Sequence, residues 1–329
     1  MNILVLGGTG FIGRHTVNAL LGSGHTVTVF DRGRRGAAPA AATHILGDRD
    51  TDLDRLGDAS WDATVDLSAY VPRQVTQLAD ELSARCGTYV LMSSTAVYAP
   101  PQKYGFREDA PQVVLPDPTT EEVNWDTYGG LKSLCEAVAA ERFPARLVIR
   151  PTYVVGPYDF TGRFTYWVER IARGGEVLVP GPYDENFQLI DVQDLASWIA
   201  ELLASGATGT YQAAKPFPPA KFGEVLDEVV ACVAPVGTQL TWVDRSFLLA
   251  AGLDGDSLPL WPGANPEGVV EAADPSLALS SGLKTRSFGD TVRQIHEHEV
   301  AAPTPADGPV GLTKEQEANL LEQWHRRAD

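Results

Sequence analysis

Gly7-Gly8-Thr9-Gly10-Phe11-Ile12-Gly13 stands between the apolar run Ile3-Leu4-Val5-Leu6 and a stretch of helical spacing over residues 11–21, with apolar Ile12, Val17, Ala19, Leu20 and Leu21. It satisfies Gly-x-Gly-x-x-Gly from Gly8 and Gly-x-x-Gly-x-x-Gly from Gly7. Each glycine has a task in a strand-turn-helix of this kind. The first permits a tight turn, the middle one lets the backbone approach a pyrophosphate, and the last lets the helix pack close on the strand. Free N–H groups and the positive end of the helix dipole then face the phosphates. Gly7, Gly10, Phe11, Ile12 and Gly13 are therefore the expected contacts of a bound dinucleotide. Any strand-turn-helix can use glycine, but here the context decides: Asp31 closes the next β-branched run, Thr26-Val27-Thr28-Val29-Phe30, about 20 residues on, where a ribose-binding acid belongs.

A carboxylate at Asp31 accepts hydrogen bonds from the adenosine ribose and repels a 2′-phosphate, which favours NAD. Arg32 follows at once, with Arg34 and Arg35 in reach, and guanidinium forks suit a phosphate, so NADP stays open as the alternative. Working outward, strand-like runs at 43–46, 63–67, 89–92 and 146–149 alternate with helical stretches at 73–85 and 131–141. That rhythm predicts an α/β protein with a doubly wound parallel (Rossmann) sheet. It breaks after Arg150, where prolines, glycines and rings crowd residues 151–182, and resumes with a strand at 188–192 and a helix at 194–203. The expected division is a dinucleotide-binding domain over 1–155 plus about 187–211, and a smaller mixed substrate domain over 156–186 plus 212–300. A linker and C-terminal helix fill 301–329. Thr313 with Gln316 gives that helix a capping-box start, and Leu320, Leu321 and Trp324 give it one apolar side.

The chain has 329 residues, 44% of them hydrophobic, enough to bury a sizeable core and too ordered in composition for a disordered polymer. Its net charge is −17, from 43 acidic against 26 basic residues, which argues against nucleic acid and anionic membranes as partners. No window approaches the roughly 18 apolar residues that a membrane span needs. The N-terminus reads as a strand and not as a secretory leader. Cys86, Cys135 and Cys232 are widely spaced and odd in number, so neither a disulfide framework nor a zinc cage is expected, and a reducing cytoplasm fits. The alternating Asp48, Asp50, Asp52 and Asp54 lack the glycine and glutamate of a calcium loop and read as a solvated acidic edge. His296 and His298 are two apart on a helix and point different ways, and Cys135 reads as a buried thiol, so no metal is expected.

Tyr128-Gly129-Gly130-Leu131-Lys132 places a phenol and an ammonium four residues apart, on one face if the segment is helical. A neighbouring cation stabilises a phenolate and brings a group of pKa about 10 toward the range useful for proton transfer. Ser93-Ser94-Thr95 closes the fifth strand, at the edge where open α/β sheets bind ligands. With these residues in place the chain resembles the extended short-chain dehydrogenase/reductases, the group often labelled NAD-dependent epimerase/dehydratase. The resemblance continues in Arg150-Pro151-Thr152-Tyr153-Val154-Val155-Gly156-Pro157, in Ile190-Asp191-Val192-Gln193-Asp194-Leu195-Ala196, and in Ala273-Asp274-Pro275-Ser276 with Gly282-Leu283, so it spans about residues 1–300.

The resemblance implies roles. Tyr128 would be the acid/base, Lys132 would lower its pKa and hold the nicotinamide ribose, and Ser94, selected over Ser93 by the register of Val97-Tyr98, would orient the substrate oxygen. Asp48 would contact the adenine, Leu67, Ser68 and Ala69 would lie along the cofactor, and Tyr153 would sit near the nicotinamide. The implied activity is NAD(P)-dependent hydride transfer at a carbonyl or hydroxyl carbon of a small substrate, with residues 156–186 and the C-terminal part as a substrate lid. A nucleotide-sugar epimerase holding NAD tightly and a non-catalytic NAD(P)-binding protein are the alternatives, and a homodimer is possible. Sugar-nucleotide dehydratases carry Asp-Glu after the strand-end hydroxyl, where this chain has Thr95 and Ala96, so water elimination is disfavoured. Phe187 falls where nucleotide-sugar enzymes place an arginine, and Tyr158, Phe160, Phe164, Tyr166, Trp167 and Tyr183 suggest a less charged substrate or a core cluster.

Overall fold

The computed structural model describes residues 1–255, 257–261 and 272–327, and the chain divides into two compact units. The first comprises residues 1–154, 192–217 and 273–285. Its sheet has seven parallel strands: β1 (Asn2–Leu6), β2 (Thr26–Asp31), β3 (Thr43–Leu46), β4 (Trp61–Asp66), β5 (Cys86–Met92), β6 (Arg146–Pro151) and β7 (Gly209–Ala213). Their spatial order is β7-β6-β5-β4-β1-β2-β3. Ile3, Leu4, Val5 and Leu6 are wholly buried, as a parallel strand covered on both faces must be. Helix α1 (Phe11–Gly22) packs on α4 (Val192–Ser205), and α2 (Pro72–Leu82) packs on α3 (Trp125–Arg142). Leu4, Leu6, Phe30, Tyr89 and Leu91 share one core cluster with Val75 and Leu78 of α2 and Cys135 and Ala139 of α3.

Strand order turns back at β1, which has β2 on one side and β4 on the other. Open α/β sheets bind ligands outside the carboxyl ends of the strands at such a switch point. Two local expectations shift. The helix expected over 131–141 begins at Trp125, because Asn124 caps it: its side-chain oxygen accepts from the backbone of Asp126 and Thr127, and the Thr127 hydroxyl accepts from Asn124 N–H. The strand expected over 188–192 is Leu189–Asp191, and Val192 already opens α4.

The second unit comprises residues 155–191, 218–272 and 286–329. Strand Glu176–Pro180 pairs in parallel with Gln239–Val243, and Asn186–Phe187 pairs antiparallel with Ala220–Lys221. Helix Arg163–Ala172 buries Phe164 and Trp167, whose ring meets Phe222 edge-on. Phe164 and Trp167 are thus core, Phe160 and Tyr166 are half-buried, and Tyr158 and Tyr183 remain partly exposed. The expected linker is tied down: Asp307 N–H donates to Phe160 O and Leu312 N–H to the Tyr166 hydroxyl. Helix Lys314–His325 docks through a buried ion pair, Arg170 Nε to Glu317 Oε2 at 2.6 Å. No helix among the described residues is long and apolar enough to cross a membrane.

Candidate active site

All the residues expected to contact cofactor or substrate, from Gly7 to Tyr153, lie in the first unit. Gly7 follows β1 with φ +79°, a conformation that disfavours any side chain, and a Cβ there would meet Ser68 Cβ at 3.2 Å. Leu67 and Ser68, just beyond β4, therefore abut the glycine turn across the switch point. A Cβ on Gly13 would lie 2.1 Å from Gly7 O, so only glycine lets α1 sit this close to the turn. Gly10 starts α1 with no side-chain cap, and the first turn has no acidic residue. The N–H groups of a helix start are thus presented beside a backbone with no Cβ in the way, a cradle that fits a pyrophosphate.

Asp31 closes β2. Thr9 donates to its Oδ2 from both N–H and hydroxyl, each at 2.8 Å, Gly33 N–H donates to Oδ1 at 2.8 Å, and His44 Nε2 of β3 lies 3.1 Å from Oδ1. Burial alone would raise the Asp31 pKa, but the hydrogen bonds from Gly33, Thr9 and His44 outweigh it and hold the carboxyl below its ordinary value. Arg32 extends outward, more than half exposed, with a guanidinium nitrogen 3.6 Å from Asp48. The acidic stretch from Asp48 lies at the surface and is tied together by hydrogen bonds. Asp48 N–H donates to Asp52, Asp50 N–H donates to Asp48, and Asp50 pairs with Arg73 at 3.1 Å.

Beneath Ser68 lies a buried charge pair that no motif announced. Arg49 grips Asp66 at 2.6 and 3.0 Å and donates to Ser68 Oγ at 3.0 Å, while Tyr89 OH donates to Asp66 at 2.9 Å. Burial pushes Asp66 up, but the Arg49 charge and hydrogen bonds win and keep it ionised. The signal was available: Asp66 is an acid following Ala63, Thr64 and Val65 in a strand, all of them wholly buried.

Helix α3 carries Tyr128 and Lys132. Gly129 lies against the turn after β5, where an added Cβ would stand 2.1 Å from Ala96 O, and Gly130 lies against Leu115. The two glycines inside the Tyr-x-x-x-Lys stretch are thus what brings the helix down beside Ser94, two residues from Ala96. Ser94 is half-buried, and its Oγ accepts from Ala96 N–H at 3.1 Å. Ser93 is buried, its hydroxyl donating to Glu136 at 2.5 Å. Glu136, one turn beyond Lys132, pairs with Arg150 of β6 at 2.6 Å and pins the helix to the sheet. The Lys132 ammonium is buried and donates to Ala69 O at 2.7 Å and Met92 O at 2.5 Å, the carbonyls just past β4 and at the end of β5. Desolvation lowers its pKa. Tyr128 is half-buried, with its ring 6.4 Å from that of Tyr70.

Ser94, Tyr128, Lys132, Ala69, Ser68 and Gly7 therefore line the carboxyl ends of β1, β4 and β5. Asp31, Arg32 and Asp48 gather at the ends of β2 and β3, and Tyr153 follows β6, half-buried. Cys135 is buried on α3, its thiol pushed up to about 12 by desolvation. Thr9, His44, Asn124, Gly129 and Tyr70 belong to the site's construction without a motif of their own. Among the described residues no cluster of His, Cys, Asp and Glu could hold a metal ion.

Comparison with known proteins bears on this arrangement. The chloroplast stem-loop binding protein of 41 kDa b of Arabidopsis thaliana is 26% identical over 220 residues, covering 62% of this chain and 55% of that protein. UDP-glucose 4-epimerase of Azospirillum brasilense is 32% identical over 187 residues, covering 49% of this chain and 51% of that one. The chain spans about half the length of these curated relatives. Among solved structures, the Bordetella bronchiseptica enzyme WbmH in complex with NAD+ has the same fold, with a TM-score of 0.70 at 18% identity over 92% of this chain and 99% of that one. The model of the family described as NAD dependent epimerase/dehydratase matches residues 3–214, a span that holds the glycine turn, Asp31, Ser94, Tyr128 and Lys132. The chain belongs to the NAD dependent epimerase/dehydratase family, within the extended short-chain dehydrogenase/reductases.

Proposed function

We propose that the chain binds NAD across the carboxyl ends of β1, β2 and β4 and uses Ser94, Tyr128 and Lys132 to exchange hydride at a carbinol or carbonyl carbon. The observation that carries this is Lys132. A buried ammonium, fixed by two main-chain carbonyls at the ends of two strands, stands one helical turn from Tyr128. Burying a cation is costly unless it is paired and hydrogen-bonded, and a phenol that ionises beside it would supply the counter-charge.

The pyrophosphate fits the turn Gly7–Gly13 and the start of α1, and the Asp31 carboxylate suits an unphosphorylated ribose. The bound cofactor would supply the acceptor or donor of the hydride. The Ser94 hydroxyl orients the substrate oxygen. In oxidation the Tyr128 phenolate takes the carbinol O–H proton, and in reduction the phenol returns it. The Lys132 ammonium stabilises the phenolate throughout. Thr95 and Ala96 offer no acid for a leaving hydroxyl, which disfavours elimination. The likeness to UDP-glucose 4-epimerase favours a second reading built on the same half-reaction, in which the hydride returns to the opposite face of the same carbon.

Cofactor content and consumption decide between them. The freshly purified protein is assayed for bound nicotinamide nucleotide and then screened, with NAD, NADP and their reduced forms, against alcohols, ketones and nucleotide sugars. Stoichiometric change at the reduced-nicotinamide absorbance identifies the oxidoreductase. Product without added or consumed cofactor identifies the epimerase. Binding of NAD with no turnover on any substrate would overturn both.

A further inference from the structure

The loop after β4 brings a second phenol to the pair on α3. Tyr70 follows Ala69, whose carbonyl receives the Lys132 ammonium. The ammonium nitrogen lies 5.4 Å from the centroid of the Tyr70 ring, within range of a cation–π contact. The same ring stands 6.4 Å from the Tyr128 ring, tilted by 47°. Gln74 fixes the loop: its Oε1 accepts from Tyr70 N–H at 2.9 Å and Val71 N–H at 3.4 Å, and its Nε2 donates to Asp50 at 3.1 Å. Tyr70 is 46% exposed, a large ring left half in solvent beside a buried cation.

We propose that Tyr70 is a positioning residue for proton transfer, its ring shielding the Lys132 ammonium from water and walling the Tyr128 phenol beside it. This rests on the reading of Tyr128 and Lys132 as the acid/base pair. A lysine has three N–H donors, and two are held by the carbonyls of Ala69 and Met92. The ring face satisfies the cation electrostatically without competing for a hydrogen bond, and it excludes the water that would screen the ammonium from a phenolate. Tyr70 does not itself serve as the base, since desolvation and the nearby Asp66 charge raise its pKa and keep it neutral. The other titratable groups around Lys132 are the buried Cys135 thiol, raised by desolvation, the Asp66–Arg49 pair, and Glu136, already matched to Arg150, so the ring is the adjustable element of this shell.

The test reads ionisation directly and needs neither substrate nor cofactor. Protein labelled with carbon-13 at the tyrosine phenol carbon is titrated by NMR. The resonance missing in Tyr128→Phe is that of Tyr128, and the one missing in Tyr70→Phe is that of Tyr70. In Tyr70→Leu and Tyr70→Gln the Tyr128 midpoint is expected to rise by about half a pH unit or more, as the ammonium becomes hydrated. In Tyr70→Phe, which keeps the ring, it stays at the wild-type value. The half-exposed position tolerates substitution, and two ringless variants of different polarity guard against a folding artefact. A depressed wild-type midpoint that neither ringless variant moves overturns the role of Tyr70 alone. A wild-type Tyr128 that titrates like a free tyrosine overturns the acid/base reading as well.

Discussion

Asp31 shows how much one side chain is asked to do. Its two oxygens receive hydrogen bonds from Thr9 and Gly33, with His44 alongside, so the carboxylate is built into the turn as well as available to a ribose. Asparagine keeps the shape but turns one acceptor into a donor that faces other donors, which costs about 1–3 kcal/mol. Because the folded pKa lies below the ordinary 3.8, the wild-type advantage is complete above that value and is lost as pH falls through the folded one. Melting temperatures of Asp31→Asn and wild type should therefore differ at neutral pH and converge in acid. The same variant no longer repels a 2′-phosphate, and titration with both reduced cofactors should show its preference moving toward NADPH. Tyr128→Phe is the complementary test. It removes the proton carrier and leaves the cradle intact, so cofactor affinity should hold while turnover falls by roughly 10²–10⁴-fold. Turnover within a few-fold of wild type would remove Tyr128 from the chemistry.

At the level of the element, α3 is where local preference and tertiary demand conflict. A glycine inside a helix costs about 1 kcal/mol relative to alanine, so Gly129→Ala should stabilise an isolated helix. In the folded protein the added Cβ would stand 2.1 Å from Ala96 O, a backbone atom that cannot step aside. The variant should be destabilised instead, with α3 pushed off the turn that holds Ser94 and turnover reduced beyond what the stability loss explains. Denaturant melts together with kcat measure both. Asn124→Ala, which deletes the cap, should cost about 1 kcal/mol with little effect on kcat. This conflict explains what the residues disclosed in advance. The glycine turn, Asp31 and the Tyr128–Lys132 spacing were legible because each is a local requirement of backbone or helix geometry. The start of α3 was not, since Gly129-Gly130 depresses the helical pattern where packing then enforces a helix. Tyr70, His44 and Arg49 were not, because their partners are distant in sequence and meet them only once the strands are aligned.

The whole molecule carries a net charge of −17, yet several of its cations are spent in the interior. Arg49 with Asp66, Arg150 with Glu136 and Arg170 with Glu317 are buried pairs, two near the carboxyl ends of the sheet strands and one anchoring the last helix of the second unit. Such pairs hold geometry more than they stabilise, since the desolvation of two charges offsets their attraction. Arg170 and Glu317 allow that to be tested away from the proposed site. Arg170 also donates to Gly174 O and Glu176 O, and Glu317 also accepts from Leu178 N–H, so each charge is tied to the backbone around it. Glu317→Met leaves a buried guanidinium without its counter-charge and should cost about 3–5 kcal/mol. Adding Arg170→Met removes that charge, so the double variant should be more stable than Glu317→Met alone, though short of wild type because two carbonyls lose their donor. Thermal melts of the four proteins give the coupling. A double variant destabilised by the full sum of the two single losses would mean that the pair is not coupled and that the helix is held by its apolar side, Leu320 and Leu321, alone.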